Sequence, residues 1–309
     1  MKILISGASG LIGTALIRTL SEAGHEVNRL VRRAPNSAGE RQWSPAVGHL
    51  DPASFDGVEV VVNLSGAGIG DRRWTDKRRR EIVDSRLDTT RLLARTMAAL
   101  DEPPHTFVSQ SAIGYYGNRG GEVLNESSDP GSVDDFLTKL TIDWEEAADP
   151  AVEAGLRVVY PRTGLVLASG TQLLGRLVPL FKAGIGGPIG DGNQWWSWIT
   201  LRDEVAALVS LIEGDLSGPV NLVAPNPVRN REFVKALGEL LRRPTIFRVP
   251  RLAIRAAMGP EMADELSLSS TRVVPKRLAE SGFTFADPTI DVALRSLLAP
   301  DRTAQPATA

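Results

Sequence analysis

Residues 2–13 read Lys2-Ile3-Leu4-Ile5-Ser6-Gly7-Ala8-Ser9-Gly10-Leu11-Ile12-Gly13. The apolar run before Gly7 predicts a short buried strand. Apolar residues at helical spacing from Leu11 to Ala23 predict a helix that Gly24 ends. The three glycines between them allow a tight turn and a close approach of the backbone to a pyrophosphate, which the start of the helix attracts with free N–H groups. A plain strand–helix turn is the alternative. The predicted phosphate contacts are Gly7, Ser9, Gly10, Leu11, Ile12 and Gly13.

Strand and helix patterns continue to alternate along the chain. The predicted strands are Val27–Val31, Val58–Leu64, Thr106–Ser109 and Arg157–Tyr160, the last one ending at Pro161. The predicted helices are Asp76–Leu100 and Asp134–Ala154, with an interruption near Pro150, whereas Asn36–Asp56 is rich in loop residues. This alternation predicts an α/β fold, a Rossmann-type doubly wound parallel sheet with a smaller mixed α/β C-terminal part on the substrate side.

The pattern loosens after Arg162. The predicted helices there are Gln172–Ala183, Asp203–Glu213, Arg231–Leu241 and Thr289–Leu298, with short strands at Val220–Val223 and Thr245–Val249. We expect an NADP-binding domain over residues 1–165, with a soft boundary that the chain crosses more than once. Residues 166–298 form the second part, and residues 299–309 read as a disordered tail because they are polar and aperiodic.

The composition excludes several classes of protein. The chain has 309 residues, of which 35 are Lys or Arg and 37 are Asp or Glu, so the formal net charge is 35 − 37 = −2. This balance argues against a generally basic nucleic-acid coat. Because there is no cysteine, disulfides and thiolate metal sites are excluded. Neither a signal peptide nor a membrane span is found, so we expect a cytoplasmic protein with no membrane and no nucleic-acid partner.

The end of the second predicted strand bears on the choice of dinucleotide. An acidic residue there would bind the ribose 2′-hydroxyl of NAD, but residues 28–33 contain none. Arg32 and Arg33 suit the charge and geometry of a 2′-phosphate instead. We therefore predict NADP(H) as the cofactor, with two solvated loop arginines as the alternative.

Two further motifs follow the glycine turn, Asn63-Leu64-Ser65-Gly66-Ala67 and Ser109-Gln110-Ser111-Ala112-Ile113-Gly114-Tyr115-Tyr116-Gly117. Together with the turn, they resemble the atypical branch of the extended short-chain dehydrogenase/reductases. Trp144-Glu145, Pro161-Arg162-Thr163-Gly164 and Val274-Pro275-Lys276-Arg277-Leu278 extend the resemblance. It implies an NAD(P)-dependent epimerase-family protein of unknown substrate. It also implies cofactor contacts from the segment after Asn63 and from the long helix, although the helix residues could simply be solvated. The predicted contacts are Leu64, Ser65, Gly66, Ala67, Glu81, Arg86, Ser109, Pro161 and Thr163.

The usual catalytic pair of the superfamily is absent. In that superfamily a Tyr exchanges the proton, and a Lys four residues later lowers the pKa of its phenol. Here Phe136 stands where the Tyr is expected, and no Tyr-x-x-x-Lys occurs. Ser111 matches the superfamily's catalytic Ser. We therefore take Ser111, Tyr115 and Tyr116 as catalytic candidates, the alternative being that both tyrosine rings line the pocket.

Other features leave the function open. The cluster Gln194-Trp195-Trp196-Ser197-Trp198-Ile199 could border a ligand crevice or pack in the core. Lys77-Arg78-Arg79-Arg80 reads as a solvated helix face, and the three scattered histidines argue against a metal site. We expect a small-molecule substrate. For the assembly, a homodimer is one option. Two functions remain, an NADP-dependent oxidoreductase or epimerase-like enzyme and a non-catalytic protein that binds or senses NADP(H).

Overall fold

The computed structural model describes residues 1–169 and 172–298. The strands in this part are β1 (Lys2–Ser6), β2 (Glu26–Val31), β3 (Glu40–Ser44), β4 (His49–Leu50), β5 (Val60–Asn63), β6 (Thr106–Ser109), β7 (Ser111–Ala112), β8 (Val123–Leu124), β9 (Arg157–Thr163), β10 (Leu165–Leu167), β11 (Trp195–Trp196), β12 (Trp198–Thr200), β13 (Gly218–Leu222), β14 (Val228–Arg229) and β15 (Arg272–Val273). The predicted tail, residues 299–309, lies outside the described residues.

The helices are α1 (Leu11–Glu22), α2 (Asp76–Ala98), α3 (Phe136–Glu146), α4 (Asp149–Glu153), α5 (Gln172–Lys182), α6 (Leu201–Glu213), α7 (Asn230–Leu241), α8 (Arg251–Met258), α9 (Pro260–Leu266), α10 (Lys276–Glu280) and α11 (Ile290–Leu298). The predicted interruption near Pro150 is confirmed, since α3 ends at Glu146 and Pro150 lies in the first turn of α4. Pro is tolerated there because the first N–H groups of a helix need no partner within it.

A mostly parallel sheet forms the centre of the molecule. Its strand order is β13-β9-β6-β5-β1-β2-β3-β4, with β7 also paired to β9, and only the β3–β4 pair is antiparallel. One face of the sheet is covered by α1 and α6, the other by α2 and α4. Alternate residues of β1 show this division, because Ile3 and Ile5 belong to the first core and Leu4 to the second. The predicted doubly wound Rossmann-type fold is confirmed.

Three local expectations differ from the structure. Residues 36–56 hold β3 and β4, because Trp43 and Leu50 are buried in the core under α2 and so order a segment rich in proline. The strand β9 runs through Pro161 to Thr163. Pro161 falls between the residues paired to β6 and those paired to β7, so it has no register partner on that side, whereas Val220 of β13 is its partner on the other side. Residues 245–249 form no strand, and only an isolated bridge joins Ile189 to Val249.

A further core, distinct from the two sheet faces, lies under α5, α7 and α11. It contains Trp198 from β12 and Phe233 from α7, both with 0% exposure. The carboxyl ends of β1, β5, β6 and β9 meet at one edge of the central sheet, which is where ligands bind in folds of this class.

Candidate functional site

The glycine turn follows β1 at this edge of the sheet. Gly7 has φ +71°, a left-handed conformation that favours glycine, and a side chain there would overlap the carbonyl oxygen of Leu64. A Cβ on Gly13 would overlap the carbonyl oxygen of Gly7, so α1 can pack this closely against the turn only with glycine at that position. Ser9, Gly10 and Leu11 are exposed at the start of α1. The first amides of α1 therefore face outwards, a geometry suited to phosphate.

A polar network supports the neighbouring segment after β5. Ser6 Oγ donates to Asn63 Oδ1 at 2.6 Å, and Ser65 Oγ donates to Ser6 Oγ at 2.9 Å. Asn63 Nδ2 in turn donates to Thr90 Oγ1 on α2 at 2.9 Å. These bonds tie the ends of β1 and β5 to each other and to α2. The predicted contact residues Leu64–Ala67 thus lie beside the glycine turn.

The two helix residues expected near the cofactor occupy different environments. Arg86 is buried with its guanidinium 4.9 Å from the Trp144 ring, and Nη1 donates to the carbonyl oxygen of Ala67 at 3.0 Å. Burial lowers the pKa of Arg86 to about 10. Glu81 is exposed and pairs with Arg78 at 2.8 Å. Arg86 therefore supports the segment after β5, whereas Glu81 belongs to a surface ion pair.

The sequence predicted that the basic run on α2 is a solvated helix face, but in the structure only part of it is solvated. Arg78 is 7% exposed and pairs with Asp71 as well as with Glu81. Arg79 pairs with Glu261 of α9. The side chains of this run thus tie α2 to a preceding loop and to the C-terminal part.

The paired arginines after β2 are not equivalent. Arg33 donates through both terminal nitrogens to the two carboxylate oxygens of Glu40, each at 2.7 Å. These bonds, with one from the Asn36 amide, lower the pKa of Glu40 to about 2. Arg32 is exposed and has no side-chain partner among residues 1–169 and 172–298. Sequence reasoning did not foresee Glu40, because it comes from β3, in the segment predicted as loop.

A buried chain of hydrogen bonds joins the ends of β6 and β9 to α6. Gln110 Nε2 donates to Thr163 Oγ1 at 2.6 Å, and that hydroxyl donates to Glu204 Oε1 at 2.7 Å. Glu204 has 0% exposure, and burial raises the pKa of its carboxyl to about 8. Ser109 is also buried, and its hydroxyl has no hydrogen-bond partner within the described residues. Ser109 therefore ends β6, while Pro161 and Thr163 lie in the last three residues of β9, at the same carboxyl edge. Sequence reasoning missed Glu204, since nothing in α6 marks a buried acid.

The catalytic candidates surround an ion pair. Ser111 Oγ donates to Glu145 Oε1 at 2.5 Å, and Arg162 holds both oxygens of that carboxylate at 2.8 Å. Burial alone would lower the pKa of Arg162, but the Glu145 partner raises it above its usual range. Although the motifs contained Glu145 and Arg162, sequence reasoning gave neither residue a role.

The two tyrosines also differ. Tyr116 has 0% exposure; its hydroxyl donates to Asn221 Oδ1 at 2.7 Å and accepts from Arg162 at 3.1 Å, and burial raises its pKa. Tyr115 is half-buried with the Arg162 guanidinium 3.4 Å from its ring centroid. The Tyr115 hydroxyl has no hydrogen-bond partner in the described part of the chain. Of the three candidates, Tyr115 is thus the one whose hydroxyl has no partner among residues 1–169 and 172–298.

No lysine substitutes for the missing pair on α3. Lys139 is exposed and bonds Asp143 on the same helix at 2.9 Å. Thr138 of α3 instead donates through Oγ1 to the carbonyl oxygen of Gly114 at 3.0 Å, and a side chain on Gly114 would lie against Leu137 and Thr141. The helix therefore presents an apolar side chain and two hydroxyl groups to the segment that carries the tyrosines.

The three neighbouring tryptophans have separate environments. Trp198 is buried in the C-terminal core, and the Trp196 ring packs 5.3 Å from that of Phe233. Trp195 is half-buried, with two guanidinium groups against its ring. Two of the three therefore serve packing, whereas Trp195 is stacked with arginine.

Membrane-spanning helices and metal sites are both absent from residues 1–169 and 172–298. No helix there has both the length and the apolar character needed to cross a bilayer. His, Asp and Glu side chains form no group of three or more in that part that could hold a metal ion.

A parallel sheet with this glycine turn after its first strand, next to polar groups at the ends of β5, β6 and β9, defines a dinucleotide-binding protein of the Rossmann type. The model of the NAD dependent epimerase/dehydratase family matches residues 3–222, and the chain belongs to that family. A domain of unknown function, DUF1731, matches residues 249–297. These matches confirm the family resemblance drawn from the motifs.

Relatives match over nearly the whole chain. An epimerase family protein of Mycobacterium bovis is 44% identical over 293 residues, 94% of this chain and 96% of its own length. The crystal structure of human epimerase family protein SDR39U1 with NADPH has a TM-score of 0.85 at 32% identity, covering 96% of this chain and 99% of that one. The fold is shared by UDP-glucose 4-epimerase from Thermus thermophilus, whose crystal structure has a TM-score of 0.73. It is 16% identical and covers 97% of this chain and 99% of its own.

Proposed function

We propose that this protein binds NADP(H) along the carboxyl edge of its sheet and is an oxidoreductase or epimerase-like enzyme acting on a small molecule. The observation that carries the proposal is the glycine turn, where backbone atoms fill the space that side chains on Gly7 and Gly13 would need. NADPH in the crystal structure of human SDR39U1 supports the choice of cofactor. When bound, the cofactor supplies hydride transfer.

The proposal assigns each part of the cofactor to a group of residues at the carboxyl edge of the sheet. The amides of Ser9, Gly10, Leu11 and Ile12 bind the pyrophosphate together with the backbone at Gly7 and Gly13. Arg32, whose guanidinium has no side-chain partner among the described residues, binds the 2′-phosphate, while Glu40 holds Arg33 beside it. Leu64–Ala67 lie along the dinucleotide, supported by Arg86. Ser109, Pro161 and Thr163 border the nicotinamide end.

The Tyr115 hydroxyl is our candidate for exchanging a proton with substrate, because it is not engaged within the described residues. Ser111 and Tyr116 shape the site around it through their bonds to Glu145, Arg162 and Asn221. The test is NADPH oxidation by Tyr115→Phe across a broad panel of carbonyl compounds. The proposal expects a large loss relative to Tyr116→Phe, and equal rates for Tyr115→Phe and the unmodified protein would remove Tyr115 from the role.

Calorimetry of two glycine variants tests the cofactor site itself. In Gly10→Ala the new methyl would lie 3.3 Å from the Gly7 oxygen, so the turn can form but the methyl projects where phosphate approaches. We expect a loss of NADPH affinity of about tenfold or more with little loss of stability.

Gly24→Ala is the matched control for this titration. Gly24 lies beyond the end of α1 at φ +86° with open space around it, so alanine costs about 1 kcal/mol of stability but leaves the turn intact. NADPH affinity should stay unchanged in this variant. If Gly10→Ala binds as tightly as the control, or if the unmodified protein binds no NADPH at millimolar concentration, the proposal fails.

Arg32→Gln tests the preference for the phosphorylated coenzyme. Loss of one guanidinium–phosphate contact should weaken NADPH binding by about tenfold and leave NADH binding unchanged. Calorimetric titrations with both coenzymes measure the ratio. An equal effect on NADH and NADPH would show that Arg32 does not read the 2′-phosphate.

A non-catalytic protein that binds or senses NADP(H) is the second candidate. It is favoured by α3, which places Phe136 where the family's Tyr is expected and keeps Lys139 in a surface ion pair. NADPH binding without oxidation by any compound of the panel would favour this candidate. Stereospecific loss of one C4 hydrogen of NADPH in the presence of a carbonyl compound would exclude it.

A further inference from the structure

The side-chain amide of Gln110 is hydrogen-bonded through its nitrogen only. Nε2 donates to Thr163 Oγ1 at 2.6 Å and to the backbone carbonyl oxygen of Ser111 at 3.1 Å. Oε1 is buried and has no hydrogen-bond partner among residues 1–169 and 172–298. A buried acceptor without a partner costs free energy, so this amide oxygen calls for a donor.

Rotating the amide by half a turn would not satisfy it. Oε1 would then lie against the carbonyl oxygen of Ser111, which can only accept a hydrogen bond. It would also lie against Thr163 Oγ1, whose hydrogen is donated to Glu204 Oε1 at 2.7 Å. Two acceptors at these distances repel, so Nε2 faces Thr163 and Ser111 while Oε1 points away from them. Glu204 is thus a positioning residue that acts on Gln110 through Thr163.

The neighbouring donors of the chain are already engaged. Ser111 Oγ donates to Glu145 Oε1 at 2.5 Å, and the backbone amide of Gln110 itself donates to the carbonyl oxygen of Asn63 at 3.0 Å. The hydroxyl of Thr163 is committed to α6. Since no group in the described part of the chain donates to Gln110 Oε1, the donor comes from a bound molecule.

Gln110 lies where the carboxyl ends of three strands meet. It follows β6 directly, its backbone bonds Asn63 at the end of β5, and its side chain bonds Thr163 at the end of β9. The next residue, Ser111, is one of the catalytic candidates. This edge is the crevice that ligands occupy in doubly wound sheets.

We propose that Gln110 Oε1 accepts a hydrogen bond from the carboxamide of the nicotinamide ring and thereby orients the ring; this rests on the proposed function. The carboxamide is a primary amide with two N–H donors, which complement an acceptor that the protein leaves unpaired. The orientation of the ring decides which face of its C4 atom is turned towards the substrate. Gln110 therefore selects which C4 hydrogen is transferred.

A coenzyme analogue that lacks these N–H groups tests the hydrogen bond. In the acetylpyridine analogue of NADP⁺ a methyl group replaces the amino group of the carboxamide, and the rest of the molecule is the same. Calorimetric titrations of the unmodified protein with NADP⁺ and with the analogue give the ratio of the two affinities. We expect NADP⁺ to bind about threefold to tenfold more tightly, the effect of one neutral hydrogen bond. Equal affinities would overturn the inference while leaving the proposed function untouched.

Substitution of the glutamine locates the bond. Gln110→Met keeps the length of the side chain but has no amide, so it should bind NADP⁺ and the analogue with equal affinity. Gln42→Met is the matched control, because Gln42 is an exposed glutamine of β3, and it should keep the ratio of the unmodified protein. If Gln110→Met keeps that ratio as well, another group binds the carboxamide, Gln110 Oε1 is left to water or substrate, and the inference is wrong.

Two measurements keep these outcomes separable. Near-ultraviolet circular dichroism checks that each variant is folded. If Gln110→Met does not fold, Thr163→Val, which removes the shorter of the two bonds that hold the amide, must lower the ratio instead. Binding of NADP⁺ without discrimination against the analogue would refute the role of Gln110 alone, whereas failure of both coenzymes to bind would refute the proposed function and this inference together.

Discussion

At the scale of single residues, Glu204 shows how tertiary structure changes the chemistry of an ordinary side chain. Its carboxyl is fully buried in the first turn of α6, where Thr163 Oγ1 is its hydrogen-bond donor. Its Oε2 atom has no partner within the described residues, and burial raises the pKa to about 8 from a usual value of 4.5. The acid is therefore neutral in the folded protein near pH 7 and ionised in the unfolded chain.

The pH dependence of stability tests this assignment. A raised pKa means that the contribution of Glu204 is fully present below pH 4.5 and is lost as the pH rises through 8. Between pH 4.5 and pH 8, the free energy of unfolding of Glu204→Gln should therefore increase relative to that of the unmodified protein, by about 1.4 kcal/mol per pH unit. Urea denaturation at a series of pH values measures it.

Glu239→Gln is the control for that series. Glu239 is exposed and forms a surface pair with Lys235 at 3.8 Å, so its substitution should leave the pH profile of stability unchanged. Parallel profiles for Glu204→Gln and the unmodified protein would show that Glu204 ionises normally in the fold.

At the scale of elements, the start of α3 depends on a residue distant in sequence. Asp135 occupies the N-cap position but makes no capping bond with its side chain. Glu265 of α9 provides the cap instead, accepting from the amides of Phe136 and Leu137 at 3.1 and 2.7 Å. The C-terminal part thereby holds the helix that borders the tyrosine segment.

Removing this cap should destabilise α3. We expect Glu265→Ala to lower the free energy of unfolding by about 1–2 kcal/mol, since two amides lose their partner, and to speed hydrogen exchange at Phe136 and Leu137. Asp135→Ala should cost much less, because its side chain does not cap the helix. If Asp135→Ala proved the more destabilising of the two, local capping by Asp135 would have to replace capping by Glu265.

At the scale of the whole molecule, the central sheet is completed by residues that come late in the chain. The strand β13 pairs along β9 as the edge strand, and α6 covers one face of the sheet. Leu208, Leu211 and Ile212 of α6 are buried there. The first 165 residues alone therefore lack the edge strand of the sheet and the apolar side chains with which α6 completes the core.

A truncated chain tests this dependence. The fragment 1–165 exposes the apolar face that α6 covers, and each buried Leu or Ile contributes about 1.5–3 kcal/mol, against a usual total stability of about 5–15 kcal/mol. We expect this fragment to show no cooperative thermal unfolding by circular dichroism, whereas 1–222, which contains the whole sheet, regains a transition. A transition in 1–165 like that of the full chain would show that the first part folds alone.

Local sequence patterns were sufficient to predict the main strands of the parallel sheet, the long helices between them and the place of the glycine turn. Glycine spacing and apolar periodicity are local signals, and the ends of β1, α1 and β6 follow them closely. Where a local signal opposed burial, prediction failed. Residues 35–56 carry three prolines, yet Trp43 and Leu50 enter the core and order the segment. Pro161 likewise signals the end of a strand locally, but the gap between β6 and β7 accommodates it.

The sequence by itself determined the fold class, the family motifs and the glycine turn, since each depends on residues that are neighbours in the chain. Only the tertiary structure decided which polar groups meet. Glu40 reaches Arg33 from β3, Glu145 meets Ser111 and Arg162 from three elements, and Arg272 meets Trp195 across the C-terminal part. Charge pairing and burial depend on distance in space, and no spacing along the chain encodes that distance for residues on separate elements.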